Sequence, residues 1–332
     1  MIFDGTSLVT GTLGQDGFIL CHRLHALGAH GLSAKVIAVA RPGCQHDVRR
    51  DALIKLGCRV IDLDVSNTVA MAELVAAERP KHIFHLAAAH HSSDAGPETP
   101  EIWQSMTSVN VAATEALASA TIRAGTGCSL IYASSSQIWT AQKLKHRVDE
   151  TTPVEPATFY GRTKISAANL LHQHRKRYGL RASVAILFNH ESPLRSPNFV
   201  TRKVTMAAAR AARGETEKLR LLNLSACVDW QAASDVVEGL LLMAKSEAPD
   251  DYVLASGNGH SVREFVEIAY RHVGLDWRRF VTAERDESGP FLVGTPDKAA
   301  RQLGWQPRQT FEGLIGSMVD TDVARLRGEI LP

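Results

Sequence analysis

A tyrosine and a lysine four residues apart are the first side chains whose spacing could support catalysis. The stretch Tyr160–Lys164 reads YGRTK, which has the pattern YxxxK. On a helix, residues at positions i and i+4 lie on the same face, so the phenol and the ammonium group would be neighbours. An ammonium group lowers the pKa of a neighbouring phenol and allows it to take a proton from a hydroxyl group. The pattern therefore predicts oxidation of a hydroxyl group or reduction of a carbonyl group.

A serine-rich turn precedes this pair. The apolar stretch Gly127–Ser134 is predicted to form a buried strand, and Ser135 and Gln137 follow it. Ser135 could hydrogen-bond to the same substrate hydroxyl group as Tyr160, and Lys164 could also hold the ribose of a nicotinamide cofactor. A solvent-exposed Tyr–Lys pair would have the same spacing, but the order strand, serine, tyrosine and lysine favours a catalytic set.

Glycines near the N-terminus have the spacing GxxGxxG and indicate a dinucleotide site. They follow the predicted strand Thr6–Thr10 and precede the helical pattern Ile19–Leu27. Such a turn lets backbone N–H groups approach a pyrophosphate, and the helix N-terminus favours the anion. In this strand–turn–helix context a cofactor site is favoured over an ordinary glycine turn. The residues predicted to contact the cofactor there are Gly11, Thr12, Gly14, Gln15, Asp16 and Gly17.

The ends of the next strands should contact the adenosine half of the cofactor. The strand Lys35–Ala40 ends in Arg41, and a cation at this position suits a 2′-phosphate, so NADP is predicted, with NAD as the alternative. A solvated arginine is the other interpretation. Asp64 and Val65 stand where an adenine contact would fall, although Asp64 could equally be a turn residue. Leu86, Ala87 and Ala88, at the end of a further strand, are also predicted to line the cofactor.

The elements that must position these groups alternate in type along the first half of the chain. Strand-like and helix-like segments of this length predict right-handed βαβ units, and hence an α/β fold with a Rossmann-type, doubly wound parallel sheet. Irregular segments after residue 188 predict a smaller, mixed α/β C-terminal substrate lobe. The predicted domains are residues 1–188, with 226–256 returning to them, and a substrate lobe of 189–225 and 257–332. Besides the elements named above, the first domain is predicted to contain the strands Arg59–Leu63, Lys81–Ala88 and Arg181–Phe188. Its further predicted helices are Thr68–Ala77, Ser108–Ala124 and Tyr160–Tyr178.

Composition excludes several classes of function. The 332 residues carry a net charge of +2, which does not indicate a nucleic-acid partner, and the basic run His46–Arg50 is interpreted as solvated surface. The five scattered cysteines favour neither a disulfide framework nor a metal site. We find no signal peptide and no apolar run of about 20 residues, so we predict a cytoplasmic protein without a membrane partner.

Long strings in the sequence resemble the extended short-chain dehydrogenases, and within them the GDP-mannose 4,6-dehydratase family. The likeness covers nearly the whole chain. The strings that carry it are TGTLGQDG at 10–17, LFNHESP at 187–193, NFVTRK at 198–203, LNL at 222–224 before DW at 229–230, YVLA at 252–255, HSVREF at 260–265, KA at 298–299 and LGW at 303–305.

The resemblance implies further binding residues and partners. It places Leu187, Asn189, His190 and Arg195 beside the cofactor. It implies a nucleotide-sugar substrate, expected in GDP-linked form, held by Asn189, Val200, Lys203, Leu222, Asn223 and Arg285. It also implies a homodimer or homotetramer, in which the two long helices Ser108–Ala124 and Tyr160–Tyr178 meet those of a second copy.

The sequence departs from the family at positions that would act in the reaction or contact the substrate. A 4,6-dehydratase oxidises C4 of the sugar, removes the C5 proton with loss of the C6 hydroxyl group as water, and returns hydride to C6. The family has a glutamate for the middle step where this chain has Gln137. Trp139 and Thr140 replace Tyr-Gly, Cys227 and Val228 replace Lys-Arg, and Ser288 stands where a glutamate is expected.

Three hypotheses follow from these observations. The first is a nucleotide-sugar 4,6-dehydratase in which Glu191, His90 or another group replaces the missing base. The second is an enzyme that keeps only the redox half of the reaction: a C4 epimerase, a dehydrogenase or a ketosugar reductase. The third is a non-catalytic dinucleotide sensor, which would not need the set Ser135, Tyr160 and Lys164. The whole-chain likeness favours the first.

Overall fold

The computed structural model describes residues 3–28, 35–91, 96–141, 146–285 and 289–329, with only the backbone of residue 285 included. The chain divides into two compact units. The first comprises Met1–Thr140, Pro153–Leu187 and Val237–Tyr252, and the second comprises Ala141–Thr152, Phe188–Val236 and Val253–Pro332.

The strands are short, as expected for α/β units. In chain order they are β1 Thr6–Thr10, β2 Lys35–Ala40, β3 Arg59–Asp62, β4 His82–His85, β5 Ser129–Ala133, β6 Ala182–Leu187, β7 Asn189–Glu191, β8 Leu219–Asn223, β9 Cys227–Ala232, β10 Asp251–Leu254, β11 Gly259–Ser261, β12 Val281–Arg285 and β13 Phe291–Leu292.

The helices separate most of these strands. They are α1 Gln15–Gly28, α2 Val48–Lys55, α3 Thr68–Glu78, α4 Pro100–Thr107, α5 Ala113–Ala124, α6 Phe159–Tyr178, α7 Val200–Ala212, α8 Ala233–Lys245, α9 Val262–His272, α10 Asp297–Leu303 and α11 Phe311–Leu326. Within the ranges that the structure describes, no helix is both long enough and apolar enough to cross a membrane.

The main sheet has seven strands in the order β10-β6-β5-β4-β1-β2-β3. The pairs from β6 to β3 are all parallel. Every residue of β5 and β6 is buried, which is the pattern of parallel strands covered on both faces. The chain moves outward from β1 in one direction through β2 and β3, and in the other through β4, β5 and β6. The predicted Rossmann-type doubly wound sheet is therefore confirmed, and its strand order reverses between β1 and β4, where such folds bind ligands.

Several predicted elements of this unit differ in extent, among them a strand and a helix next to the site. The strand predicted over Lys81–Ala88 ends at His85, because the next backbone N–H groups bond to the side chain of Thr10 instead of continuing the sheet. The helix predicted over Ser108–Ala124 is longer: α4 leads into a π-helical turn at Ser108–Ala112, which continues into α5.

The second unit has its own small sheets and core. Strand β9 pairs with β7, β11 and β13, and β8 pairs with β12. Helices α7, α9 and α11 enclose a core that includes Val204, Trp230, Phe265 and Ile315. The unit boundary therefore differs from the prediction that residues 226–256 return to the first domain. Only Val237–Tyr252 does so, because the hydrogen bonds of β9 go to strands of the second unit.

Candidate active site

The glycine turn after β1 is packed too tightly for larger side chains. Gly11 has a φ of 71°, and a Cβ atom there would lie 2.8 Å from the backbone nitrogen of Ala87. A Cβ atom on Gly17 would lie 2.4 Å from the carbonyl oxygen of Gly11. The N–H group of Gly14 donates to that same carbonyl over 3.0 Å. The turn thus brings the backbone close to the start of α1, where Gln15 and Asp16 form the first helical residues.

A buried hydrogen-bond network fixes the loop after β4 beside this turn. The hydroxyl oxygen of Thr10 accepts hydrogen bonds from the backbone N–H groups of Leu86 and Ala87, over 3.2 and 3.1 Å. The same hydroxyl lies 2.8 Å from Nδ1 of His85 and donates to it, because its oxygen already accepts from two N–H groups. Burial lowers the pKa of this histidine to about 3, so its ring is neutral. The sequence analysis did not anticipate this network, since its members are 75 residues apart.

A cleft of about 600 Å³ opens beside the turn within the first unit. Nine of the residues predicted to contact a cofactor line it. They are Gly11, Thr12 and Gly14 from the turn, Arg41, Asp64 and Val65 from the ends of β2 and β3, and Leu86, Ala87 and Ala88 from the loop after β4. Gly17, Gln15 and Asp16 lie in α1 behind the turn. The structure thus brings these nine residues together around one cleft.

The charged groups of the cleft differ in their surroundings. Arg41 is exposed at the end of β2. The carboxylate of Asp64 accepts from both the backbone N–H and the hydroxyl group of Ser66, over 2.9 and 2.7 Å, so it also closes a turn. Arg49 donates to the carbonyl oxygen of Leu13 over 2.7 Å. Arg49 belongs to the run interpreted as solvated surface, and the structure instead places it against the glycine turn.

Lys164 is buried at the centre of the predicted catalytic set. Its ammonium group donates to the carbonyl oxygen of Ala133 over 2.8 Å. It lies 5.4 Å from the centroid of the Tyr160 ring and 4.8 Å from that of Tyr132. Burial lowers the pKa of Lys164 to about 7. Tyr160 and Lys164 therefore share one face of α6, as the four-residue spacing predicts.

The turn after β5 brings Ser135 and Gln137 to the start of α6. The hydroxyl oxygen of Ser135 accepts from the backbone N–H group of Gln137 over 3.2 Å. Thr158 caps α6 by accepting from the N–H group of Gly161, and its hydroxyl group donates to the side-chain oxygen of Gln137 over 3.4 Å. The four residues predicted to be catalytic therefore lie in one unit, at the junction of β5 and α6.

Replacement of Gly161 by alanine is expected to disturb this junction. A Cβ atom at Gly161 would lie 2.2 Å from the carbonyl oxygen of Gln137 and 3.0 Å from Pro156. Such overpacking costs about 1–3 kcal/mol and would displace the turn that carries Ser135. We expect a lower free energy of unfolding in urea and a loss of turnover. Ser166→Ala, at an exposed position of the same helix, is the control; equal stability of the two variants would contradict the tight junction.

Asn110 is a positioning residue that the sequence analysis missed. Its amide group accepts from the N–H group of Ala89 over 2.9 Å and donates to the carbonyl oxygen of the same residue over 3.0 Å. It also donates to the hydroxyl oxygen of Thr163 on α6 over 3.0 Å. The fully buried side chain thereby ties the loop after β4 to the catalytic helix. The only feature of the sequence that could have indicated this role is a polar amide side chain within an alanine-rich helical segment.

The second unit holds all six residues assigned to the substrate and some assigned to the cofactor. His190 donates from Nδ1 to the carbonyl oxygen of Phe188 over 2.7 Å. Arg195 forms an ion pair with Glu191 at 3.3 Å and stacks on the ring of Phe199 at 3.5 Å. Asn189 is exposed, whereas Leu187 is buried at the end of β6 in the first unit.

A second cleft, of about 720 Å³, lies within this unit. Lys203 lines it together with three other cations, Arg210, Lys218 and Arg220. Of the other residues assigned to the substrate, Val200 and Leu222 are exposed. The side-chain oxygen of Asn223 accepts from the N–H group of Ser225 over 2.7 Å. The backbone of Arg285 pairs with that of Asn223 where β12 lies beside β8. The side chain of Arg285 lies outside the described residues.

Comparison with known proteins places the chain among nucleotide-sugar enzymes. The family model described as GDP-mannose 4,6 dehydratase matches residues 8–318. GDP-mannose 4,6 dehydratase 2 of Arabidopsis thaliana is 34% identical, over 97% of this chain and 88% of that protein. GDP-mannose 4,6-dehydratase of Sinorhizobium fredii is 32% identical, over 97% of each. UDP-glucose 4-epimerase from Thermotoga maritima has the same fold, with a TM-score of 0.83, 20% identity and coverage of 97% and 99%.

Proposed function

The chain belongs to the GDP-mannose 4,6-dehydratase family, and from this we propose that it is an NADP-dependent nucleotide-sugar 4,6-dehydratase acting on GDP-mannose or a related sugar. The observation that supports this most strongly is the assembly of Ser135, Tyr160 and Lys164 at the junction of β5 and α6, in the same unit as the dinucleotide cleft. A non-catalytic sensor would not need a buried lysine beside an active-site phenol, and this argues against the third hypothesis.

The residues of the first unit fit a nicotinamide dinucleotide. The absence of side chains at Gly11 and Gly17 lets the turn pack directly against the loop after β4 and the first turn of α1. The N-terminus of α1 is therefore set beside the cleft, where its N–H groups could bind a pyrophosphate. Arg49 beside the turn supplies a cation near the phosphates. When bound, the cofactor accepts a hydride from the substrate and later returns it.

Arg41→Ala is expected to weaken NADP binding more than NAD binding. Arg41 lines the cleft at the end of β2, where it suits a 2′-phosphate. Loss of a charge-assisted hydrogen bond costs about 1.5–3 kcal/mol, which corresponds to at least about tenfold in the dissociation constant. Titration of both cofactors by fluorescence would measure the effect. Arg50→Ala is the matched control, because that guanidinium group pairs with Asp62 at 3.0 Å; equal loss of both cofactors in Arg41→Ala would remove the 2′-phosphate role.

The side chains of this chain account for the oxidation step. Tyr160 takes the proton of the C4 hydroxyl group while Ser135 hydrogen-bonds to the same oxygen. Lys164, fixed by the carbonyl oxygen of Ala133, stabilises the phenolate. The resulting C4 ketone acidifies the C5–H bond, so that water can be lost from C5 and C6. Hydride return to C6 then gives a 4-keto-6-deoxy sugar.

The second unit is proposed to hold the nucleotide. Lys203, Arg210, Lys218 and Arg220 provide four cations around the cleft, against two carboxylates. Clustered cations of this kind suit a diphosphate. GDP is the nucleotide indicated by the names of the relatives.

The second hypothesis, an enzyme limited to redox chemistry, rests on Gln137. Its amide group is neutral and cannot act as a base. Incubation of the protein and NADP with GDP-mannose in deuterated water separates the hypotheses. Loss of one water with deuterium at C5, read by mass spectrometry and NMR, supports the dehydratase. Oxidation or epimerisation at C4 without loss of water supports the alternative.

Further copies of the chain are the proposed protein partners. In a homodimer or homotetramer, α5 and α6 would meet the same helices of a second copy, as the family resemblance implies. All five cysteines are free thiols, and this supports the proposal of a reducing, cytoplasmic compartment.

A further inference from the structure

The proposed reaction needs a group that the predicted catalytic set does not contain. After oxidation at C4, a base must take the proton from C5, and an acid must protonate the C6 hydroxyl group as it leaves. Gln137 cannot exchange protons near neutral pH, and its side-chain oxygen already accepts from Thr158. The inference below rests on the proposed function and identifies the group that performs this step.

Glu191 is poorly suited to the task. Its carboxylate accepts from the hydroxyl group of Thr201 over 2.7 Å and lies 3.3 Å from the guanidinium group of Arg195. Only 2% of the side chain is exposed. A carboxylate held by a cation and a hydroxyl group is a weak base, and here it anchors the loop between β7 and α7.

His85 and Lys164 are also committed elsewhere. His85 is buried and its Nδ1 accepts from Thr10, so its ring serves the network behind the glycine turn. The ammonium group of Lys164 is bonded to Ala133 and serves Tyr160. Neither the His85 ring nor the Lys164 ammonium group is therefore placed to take the C5 proton and then protonate the hydroxyl group on C6.

His90 is placed differently. It lies on the loop after β4, its side chain is exposed, and its imidazole ring meets the Tyr160 ring edge-on, with centroids 4.8 Å apart and planes at 84°. Since Tyr160 must touch the oxygen on C4, and C5 is one bond of about 1.5 Å away from C4, a ring packed against Tyr160 is within reach of C5.

The anchoring of this loop supports the assignment. Ala89, directly before His90, is bonded through both backbone groups to the side chain of Asn110, which also bonds to Thr163 on α6. The backbone of His90 is therefore held against the helix that carries Tyr160. A proton-transferring group needs such fixed placement relative to the group that acts before it.

We propose that His90 is the acid–base residue of the elimination. Neutral imidazole takes the proton from C5 of the 4-keto sugar, and the C5–C6 double bond forms as the C–O bond at C6 breaks. The imidazolium returns a proton to the departing hydroxyl group, which leaves as water. The C5 proton and the C6 hydroxyl group are thus removed as one water, and His90 ends neutral.

His91 is a matched control from the same loop. Its Nε2 donates to the carbonyl oxygen of Gly96 over 2.8 Å, so its ring is held against Gly96. A substitution at the neighbouring histidine, which among the described residues makes no ring contact with Tyr160, separates the loss of an imidazole base beside Tyr160 from disturbance of the loop.

The test compares His90→Gln, His91→Gln, Gln137→Glu and the double variant His90→Gln/Gln137→Glu, each saturated with NADP and given GDP-mannose. Oxidation at C4 is followed by the absorbance of the reduced nicotinamide in a single turnover, and elimination by the mass of the sugar. For His90→Gln we expect at least about 100-fold slower elimination with C4 oxidation within a few-fold of the wild type. His91→Gln should retain both rates.

A carboxylate at position 137 should restore elimination to the double variant, because it supplies a base at the junction of β5 and α6, where the family resemblance places a glutamate. Elimination at the wild-type rate by His90→Gln would overturn the proposal, as would equal losses of both steps in His90→Gln and His91→Gln. If the wild-type protein oxidises GDP-mannose without losing water, the inference fails while the redox chemistry stands. If it does not oxidise the sugar at all, the proposed function fails with it.

Discussion

Tyr160→Phe is expected to lower turnover by about 10²–10⁴-fold, the usual contribution of a general acid–base group. The substitution removes only the hydroxyl group that takes the C4 proton, and the ring contact with His90 and the cation–ring contact with Lys164 can remain. We therefore expect the fold and the affinity for NADP to be unchanged, with the loss confined to the chemical steps.

The measurement is the single-turnover rate of C4 oxidation, with thermal unfolding followed in parallel. Tyr178→Phe is the control at the other end of α6, where the side chain is half exposed. It should retain full activity. Retained turnover in Tyr160→Phe would show that another group takes the C4 proton and would remove the catalytic assignment.

Lys164→Met is expected to abolish turnover and to raise stability. The ammonium group is needed beside the phenol, so its loss should cost at least about 10²-fold in rate. Burial lowers the pKa of Lys164 to about 7, whereas an unfolded lysine has a pKa of about 10.4. The folded state therefore disfavours the charged group, and each pKa unit corresponds to about 1.4 kcal/mol. A methionine of similar length removes this penalty.

The pH dependence of stability tests directly whether the buried Lys164 destabilises the folded state. Between pH 7 and about 10.4 the unfolded chain binds a proton on this lysine that the folded chain does not, so this group makes stability rise with pH across that window. Lys164→Met should lose that rise and should unfold at a higher temperature than the wild type at pH 7 and below. Lys176→Met, on the exposed end of α6, should change neither. A lower unfolding temperature in Lys164→Met would contradict the burial penalty.

The sequence predicted those parts of the site that depend on local patterns. The glycine spacing at Gly11–Gly17 and the apolar runs of β1, β2 and β5 depend on neighbouring residues, and each of these elements is confirmed. The four-residue spacing of Tyr160 and Lys164 is likewise fixed by helix geometry.

Features that depend on distant pairs could not be predicted in this way. The Thr10–His85 bond and the bond of Asn110 to Thr163 join residues far apart in sequence, and nothing in their neighbourhoods marks them. The partners of β9 are set in the same way: the predicted first domain includes residues 226–256, whereas β9 pairs with β7, β11 and β13, since strand partners are chosen by tertiary packing. Arg49 differs from the prediction because a basic run is usually solvated, whereas here α2 directs one guanidinium group to the glycine turn.

The measurement that tests the central claim most directly follows a hydride through the reaction. GDP-mannose with deuterium at C4 is incubated with the protein and NADP, and the sugar product is analysed by NMR and mass spectrometry. A 4,6-dehydratase removes the deuterium at C4 and returns it at C6, so we predict a product that has lost one water and carries the deuterium at C6. Deuterium retained at C4 of a sugar that has lost no water, or left on the cofactor, would contradict the account.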